Sequence, residues 1–351
     1  MDKLKKIISE FQIDADECNI SPFGTGLIND TYKVTAGSSS YILQRINHSI
    51  FKDVELMQNN IFRVTGHIKS KGAMTLSLIP TKDGKLYYFS GTEYWRVTRF
   101  IENSKSFEQV TPNLAYLTGE AFGNFQLMLA DLPGEPLGYT IPDFHNMEFR
   151  LEQLKEALAL NKSGRLKGEN VKKLAGELLS RAELMCKAER LGREGKLPRR
   201  ITHCDTKVNN MLFDQNGNFL CVIDLDTTMP GFVLSDFGDF IRTAGNTAAE
   251  DEPDTSKIGI DMDIFRAFAK GYLHAAKAFL TPIEIENLPY GAKLLTYMQT
   301  VRFFTDYING DTYYKIKYPN HNWVRTIAQF TLLQSMEQHE AEMNEYIASL
   351  R

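Results

Sequence analysis

Cysteine is scarce in this 351-residue chain: Cys18, Cys186, Cys204 and Cys221 are scattered, with no Cys-x-x-Cys pair. That scatter speaks against a disulfide framework or a cysteine zinc site and fits a reducing, cytoplasmic compartment. Long apolar runs are missing as well. No stretch approaches the roughly 20 apolar residues that span a bilayer, and the charged, amphipathic opening Met1-Asp2-Lys3-Leu4-Lys5-Lys6-Ile7-Ile8 is not a secretory signal. Nor is there charge of one sign. A net charge of −4 with short basic clusters (Lys3 to Lys6, Lys172-Lys173, Arg199-Arg200) gives no reason to expect nucleic acid or a membrane surface as partner. Repeats and low-complexity tracts are absent, and the pattern carries no signature of oligomeric state. What is present is ordinary: 43% hydrophobic and 24% charged residues, and length enough for two lobes with a core each.

Up to residue 101 the periodicity is mostly two. Strands over 31–35 and 41–46 flank Ala36-Gly37-Ser38-Ser39-Ser40 and predict a hairpin. Val54, Met57, Ile61, Val64 and Ile68 make one apolar stripe of a helix over 53–70. Strands over 76–80 and 86–89 flank Asp83-Gly84, a hairpin-turn signal, and a strand over 94–101 follows. Beyond 102 the period is helical. Thr111-Pro112 starts a helix that runs through Leu129. Further helices are expected over 147–160, 169–191, 262–279, 284–308 and 323–350, with a β interruption at 211–226. The expected class is α+β: a small β-sheet lobe with one helix, 1–101, and a larger, mainly helical lobe, 102–351.

The stretch His203-Cys204-Asp205-Thr206-Lys207-Val208-Asn209-Asn210, then Val222-Ile223-Asp224-Leu225-Asp226, carries the chemistry. Lys207 lies two residues past Asp205, Asn210 five past it, and Asp224 fourteen past Asn210. A phosphoryl-transfer site needs this set: a carboxylate for the acceptor hydroxyl, a cation for the moving group and two oxygen ligands for magnesium. Asn216-Gly217 predicts a hairpin that brings Asn210 and Asp224 to one ion. One carboxylate, one amide and the phosphates of ATP suit Mg2+. His203 is expected to orient the loop and Cys204 to be small and buried, while Asp226 is either a second ligand or a support. Asp236-Phe237-Gly238 spells the metal-binding tripeptide of protein kinases, yet Asp236 lies 26 residues past Asn210, too far for one hairpin. Apolar spacing from Phe237 to Ile241 has Asp236 starting a helix, with Asp239 in its first turn, so Asp236 reads as structural.

His203-x-Asp205-x4-Asn210 and Ile223-Asp224-x-Asp226 resemble the aminoglycoside phosphotransferase and choline kinase superfamily, relatives of the protein kinases. Asn209-Asn210, residues 222–231, Asp236-Phe237-Gly238-Asp239, Gly24-Thr25-Gly26-Leu27-Ile28-Asn29, residues 41–47, residues 141–146 and Arg302-Phe303-x-Thr305-Asp306-Tyr307 are similar to the N-acetylhexosamine 1-kinases. The resemblance covers most of the chain. It implies a bilobal protein-kinase-like fold with ATP and Mg2+ in the cleft, and transfer of the γ-phosphoryl to the anomeric hydroxyl of a free sugar. In that scheme Asp205 is the base, Asn210 and Asp224 are the metal ligands, Gly24-Thr25-Gly26 turns over the phosphates, and Phe100-Ile101 is the hinge against adenine. The superfamily's strand lysine is missing. Its position falls in Leu43-Gln44-Arg45, where Arg45 could replace it through its fork, with Glu55 as partner. Strand alternation lets only one of Gln44 and Arg45 face inward. Sugar contacts are expected from Arg302, Asp306, Asp311, Tyr313, Tyr314 and Trp323, and from Asp143, Phe144 and His145 on a covering loop. Arg302 and Asp306, at i,i+4, equally read as an intrahelical ion pair. Competing acceptors are choline, an aminoglycoside, homoserine or another sugar; a nucleotide-binding scaffold without chemistry is the alternative of a different class.

Overall fold

Strand propensity over 18–99 becomes a six-stranded antiparallel sheet in the computed structural model, which describes residues 2–14, 18–24 and 28–351. The strands are β1 (Cys18–Pro22), β2 (Asp30–Ala36), β3 (Ser39–Ile46), β4 (Leu78–Ile79), β5 (Tyr88–Phe89) and β6 (Tyr94–Arg99). β1, β2, β3 and β6 lie side by side, and β4 and β5 each pair with β6. The helices of this region are α1 (Asp2–Ile8) and α2 (Val54–Ser70). Alternation sends Val34, Leu43, Trp95 and Val97 to one face, where Ile7, Ile8 and Phe11 close over them as a buried core. β1 and α1 add to the five strands and one helix expected. The hairpin expected about Asp83-Gly84 does not form, because the loop closes on Thr81 instead. Thr81 N–H donates to the Lys85 carbonyl at 2.8 Å, and Lys85 N–H donates to Thr81 Oγ1 at 2.9 Å.

The remaining elements are mostly helical. In order they are α3 (Pro112–Leu129), α4 (Met147–Leu160), α5 (Glu169–Met185), α6 (Lys187–Arg193), β7 (Arg200–Thr202), β8 (Met211–Phe213), β9 (Phe219–Val222) and β10 (Met229–Gly231). Then follow α7 (Val233–Ala244), α8 (Met262–Ala276), α9 (Pro282–Glu286), α10 (Leu288–Asn309), α11 (His321–Gln338) and α12 (Glu340–Ser349). Caps set the starts: Leu114 N–H donates to Thr111 Oγ1 at 3.3 Å, and Phe149 N–H to Asn146 Oδ1 at 3.2 Å. Three helices expected to be continuous are each broken once, at Cys186, Asn287 and His339. At Asn287 the side-chain amide turns back to the Ile283 carbonyl (2.7 Å), and Pro289 lacks the N–H that would continue the ladder.

The chain folds as two compact units. One comprises Met1–Phe107, Met128–Pro142 and Asn209–Pro230; the other comprises Glu108–Leu127, Asp143–Val208 and Gly231–Arg351. The first is built on the antiparallel sheet and the larger second one on helices, as the α+β expectation has it. The β8–β9 hairpin counts with the sheet unit, and the loop 203–208 with the helical unit. Within the latter, Phe237 and Phe240 of α7 meet Phe265, Phe268 and Tyr272 of α8, with Phe240 and Phe268 stacked at 3.9 Å. Among the described residues no helix is long and apolar enough to cross a membrane.

Candidate active site

The loop after β7 has no regular ladder to satisfy its backbone, so its N–H groups need other acceptors. Two carboxylates of α7 supply them. Asp236, 1% exposed, accepts from His203 N–H at 2.9 Å and from Cys204 N–H at 2.8 Å. Asp239, also buried, accepts from Thr206 N–H at 3.1 Å, and Thr206 Oγ1 donates to the Asp236 carbonyl at 2.6 Å. Behind them Tyr272 donates to Gln126 Oε1 (2.5 Å), and Gln126 donates to Asp236 (2.7 Å). His203 is fully buried edge-on against Phe122 and Phe125, and its Nδ1 accepts the Asp205 N–H at 3.3 Å. Cys204 is buried in the left-handed region at φ 63, a strained conformation that the Asp236 bonds hold in place. α7 begins at Val233, so Asp236 lies inside the first turn instead of opening it.

At the tip of this braced loop Asp205 and Lys207 meet, Nζ to Oδ1, at 2.7 Å. Burial pulls the Lys207 ammonium down, yet the carboxylates of Asp205 and Asp239 outweigh it, and its pKa stands above the ordinary lysine value. Burial alone would push the Asp239 carboxyl up. The Arg242 guanidinium, 2.8 Å away, and Lys207 outweigh that and hold it below the usual carboxylate range.

In the sheet unit the hairpin forms with Met211 opposite Val222, and Ile223 N–H donates to the Asn210 carbonyl at 2.9 Å. That bond puts Asn210, nearly buried, beside the residue preceding exposed Asp224. Asp224 has φ 58 and ψ 55, a left-handed conformation that turns the chain sharply as it leaves β9. Among the described residues no three of His, Cys, Asp and Glu gather as a metal-binding group. Asn210 and Asp224 offer hard oxygen donors and suit a cation that takes most of its ligands from phosphates and water. Asp226 is engaged otherwise: it accepts from Asn29 Nδ2 at 2.7 Å and pairs with Arg96.

Arg96 was not singled out by the sequence. It lies opposite Gln44 in the β3–β6 register, is 4% exposed, and donates from Nε to Gln44 Oε1 at 2.9 Å. Arg45 stands on the other face, exposed and paired with Asp30, with Glu93 3.9 Å away. Glu55 is exposed on α2. The cation this unit buries is therefore Arg96 and not Arg45, a correction that follows from pleat alternation. Gly24 has φ +74 and open space at its Cβ position; Thr25 and Gly26 of the expected phosphate turn lie outside the described residues. Phe100 is half-buried, packed edge-on against Phe23 at 5.7 Å with Lys33 Nζ 3.8 Å above its ring. The Ile101 carbonyl accepts from Ser104 Oγ at 2.6 Å.

The expected sugar contacts are only partly gathered. Arg302 lies over the rings of Phe144 and Tyr314 and lines a cavity of ≈340 Å³ with Arg150, Thr305, Asp306 and Tyr313. Asp306 is a structural carboxylate. It accepts from the N–H groups of Thr312, Tyr313 and Tyr314 at 2.8–2.9 Å and from Asn322 Nδ2 at 2.8 Å, so it organises the turn after α10. Arg302 donates to Gln299, and the i,i+4 pair with Asp306 is not what holds it. Asp311 pairs with Arg165 at 2.6 Å, and Trp323 packs on Tyr307. Asp143 is exposed at φ 54 and accepts from Asn146 Nδ2 at 2.8 Å. His145 stacks on Phe144 with ring centroids 4.5 Å apart, and burial pushes its imidazolium down to about 4 against the attraction of Asp239. A second cavity, of ≈190 Å³, opens beside Lys207 and Arg242.

A family model described as Phosphotransferase enzyme family matches residues 19–278. Solved structures of similar fold include a choline kinase from Cryptosporidium parvum Iowa II (14% identity, TM-score 0.61, covering 99% of this chain and 98% of that one). An ethanolamine kinase from Plasmodium vivax is 14% identical with a TM-score of 0.59, covering 93% and 88%. An amicoumacin kinase in complex with AMP-PNP, Ca2+ and Ami is 12% identical with a TM-score of 0.64, covering 95% and 92%. At these identities the likeness is one of fold.

Proposed function

The chain belongs to the phosphotransferase enzyme family, and from that premise we propose that it is a kinase of a small free sugar. It transfers the γ-phosphoryl of ATP to the anomeric hydroxyl of N-acetylglucosamine or N-acetylgalactosamine. The observation that carries this reading is the braced loop: Asp205 and Lys207 lie side by side at 2.7 Å on a backbone held by buried Asp236 and Asp239. Such rigidity is what positioning catalysis requires.

Asp205 accepts the proton of the acceptor hydroxyl as that oxygen bonds to the γ-phosphorus and the bond to the bridging oxygen of ADP breaks. An anomeric hydroxyl is more acidic than an ordinary alcohol, so Asp205 chiefly orients it and takes the proton late. Lys207, whose charge persists to high pH, balances the charge spread over the transferring group. Asn210 and Asp224 hold a divalent cation, Mg2+ on this reading, which when bound neutralises phosphate charge. Residues 1–101, with Gly24, Thr25 and Gly26 as the phosphate turn and Phe100 and Ile101 against adenine, form the nucleotide-binding lobe. Residues 102–351 form the catalytic lobe. Four free thiols support a cytoplasmic setting.

The test is Asp205→Asn with phosphorus NMR of the product. The expected result is a sugar 1-phosphate from the wild type, and a kcat lower by ~10²–10⁴ in the variant at an unchanged KM for ATP. Near-normal turnover by Asp205→Asn sinks the assignment of the base.

A further inference from the structure

Helix α11 sends one polar side chain into the smaller cavity. Gln329 is fully buried, and neither end of its amide has a hydrogen-bond partner among the described residues. A buried amide unpaired at both ends is costly, and a native protein retains one where something polar comes to meet it. The cavity it lines also takes in Lys207, Arg242, Thr243, Asn246 and Glu250. Lys207 connects it to the reacting centre, since its ammonium touches Asp205 at 2.7 Å.

Three properties of the cavity define what it takes. The charges around it are already matched: Lys207 by Asp205, and Arg242 by Asp239 at 2.8 Å and Glu250 at 2.7 Å. A charged ligand would find no free partner among these groups. No aromatic side chain lines it, so it lacks the ring faces that hold a quaternary amine. Its ≈190 Å³ is below the ~300–1,000 Å³ of pockets for drug-sized ligands. That leaves room for one ring and excludes a multi-ring aminoglycoside.

On the kinase reading above, we propose that this cavity is the acceptor site, that its ligand is a neutral, single-ring polyhydroxyl compound, and that the Gln329 amide reads it. A primary amide offers one acceptor and one donor edge. Its complement is an adjacent donor and acceptor on the ligand, which a secondary amide or a vicinal diol both provide.

The experiment is steady-state kinetics of the full chain, wild type against Gln329→Met, with Gln329→Leu as second variant. The probes are an acetamido hexose, the corresponding hexose and choline. Methionine keeps the volume of glutamine and removes the buried amide. The acceptor KM is expected to rise at least tenfold while the KM for ATP stays within twofold and Tm does not fall. A residue that only supported the fold would lower Tm and disturb both substrates. A larger penalty on the acetamido sugar identifies the secondary amide as the group read, and equal penalties identify the diol. An acceptor KM within twofold of wild type in both variants overturns the proposal, as does wild-type turnover of choline equal to that of the sugars. A wild type that phosphorylates neither sugar refutes the sugar-kinase reading itself, whatever the variants do.

Discussion

A guanidinium at 4% exposure needs a carboxylate, and Arg96 has Asp226, itself held by Asn29 at 2.7 Å. Removing one partner leaves the other charged and unmatched in the interior. Arg96→Met is therefore expected to cost about 3–5 kcal/mol, measured by denaturant unfolding, and Arg96→Met with Asp226→Leu to recover most of it. A single variant as stable as wild type would show that the pair is not desolvated. The sequence exposed the missing strand lysine but not its neighbour's arginine, because Arg96 meets Gln44 only through a strand pairing that spans some fifty residues. Asp306 makes the same point. Its spacing from Arg302 reads as an ion pair, while its oxygens are taken by three N–H groups of the turn that follows and by Asn322.

Helix α7 is the element on which the candidate site depends, and each residue of Asp236-Phe237-Gly238 has a structural task in it. Asp236 holds the loop 203–206, Phe237 fills the core against α8, and Gly238 lets α10 approach. A Cβ at Gly238 would lie 2.2 Å from the Gly291 carbonyl oxygen, where backbone cannot yield without moving a helix. Gly238→Ala is expected to destabilise by about 1–3 kcal/mol. It should also lower kcat, because Asp236 and Asp239 move with α7 and they hold the loop that carries Asp205 and Lys207. Thermal melts with steady-state kinetics check this, and wild-type values for both exclude it. The period of 3.6 marked Phe237, Phe240 and Ile241 as one face, but periodicity carries no sign that both flanking carboxylates are buried as well.

For the molecule as a whole, pH stability follows from groups whose protonation differs between folded and unfolded chains. His145 titrates near 6.5 when unfolded and near about 4 when folded. Above 6.5 both forms are neutral and nothing is at stake. As pH falls below 6.5 the unfolded chain takes the proton first, so stability declines, by up to about 3 kcal/mol near pH 4. His145→Phe is expected to flatten urea-unfolding free energies between pH 7 and 4, and an unchanged slope excludes His145 as the cause. Asp239 acts lower down, since a depressed carboxyl stabilises above its unfolded value and loses that contribution as pH falls through the folded one. By itself the sequence determined the α+β class, the helix cap at Thr111, and the hairpin that sets Asn210 beside Ile223 and Asp224. Those features arise from interactions within a few residues or across one tight turn, where spacing and turn chemistry suffice. Only the tertiary structure decided that Arg96 is the buried cation, that Asp306 organises a turn, and that Gln329 and Lys207 share a cavity. Burial and hydrogen-bond pairing are properties of residues far apart in the chain, and no local pattern encodes which distant side chain arrives.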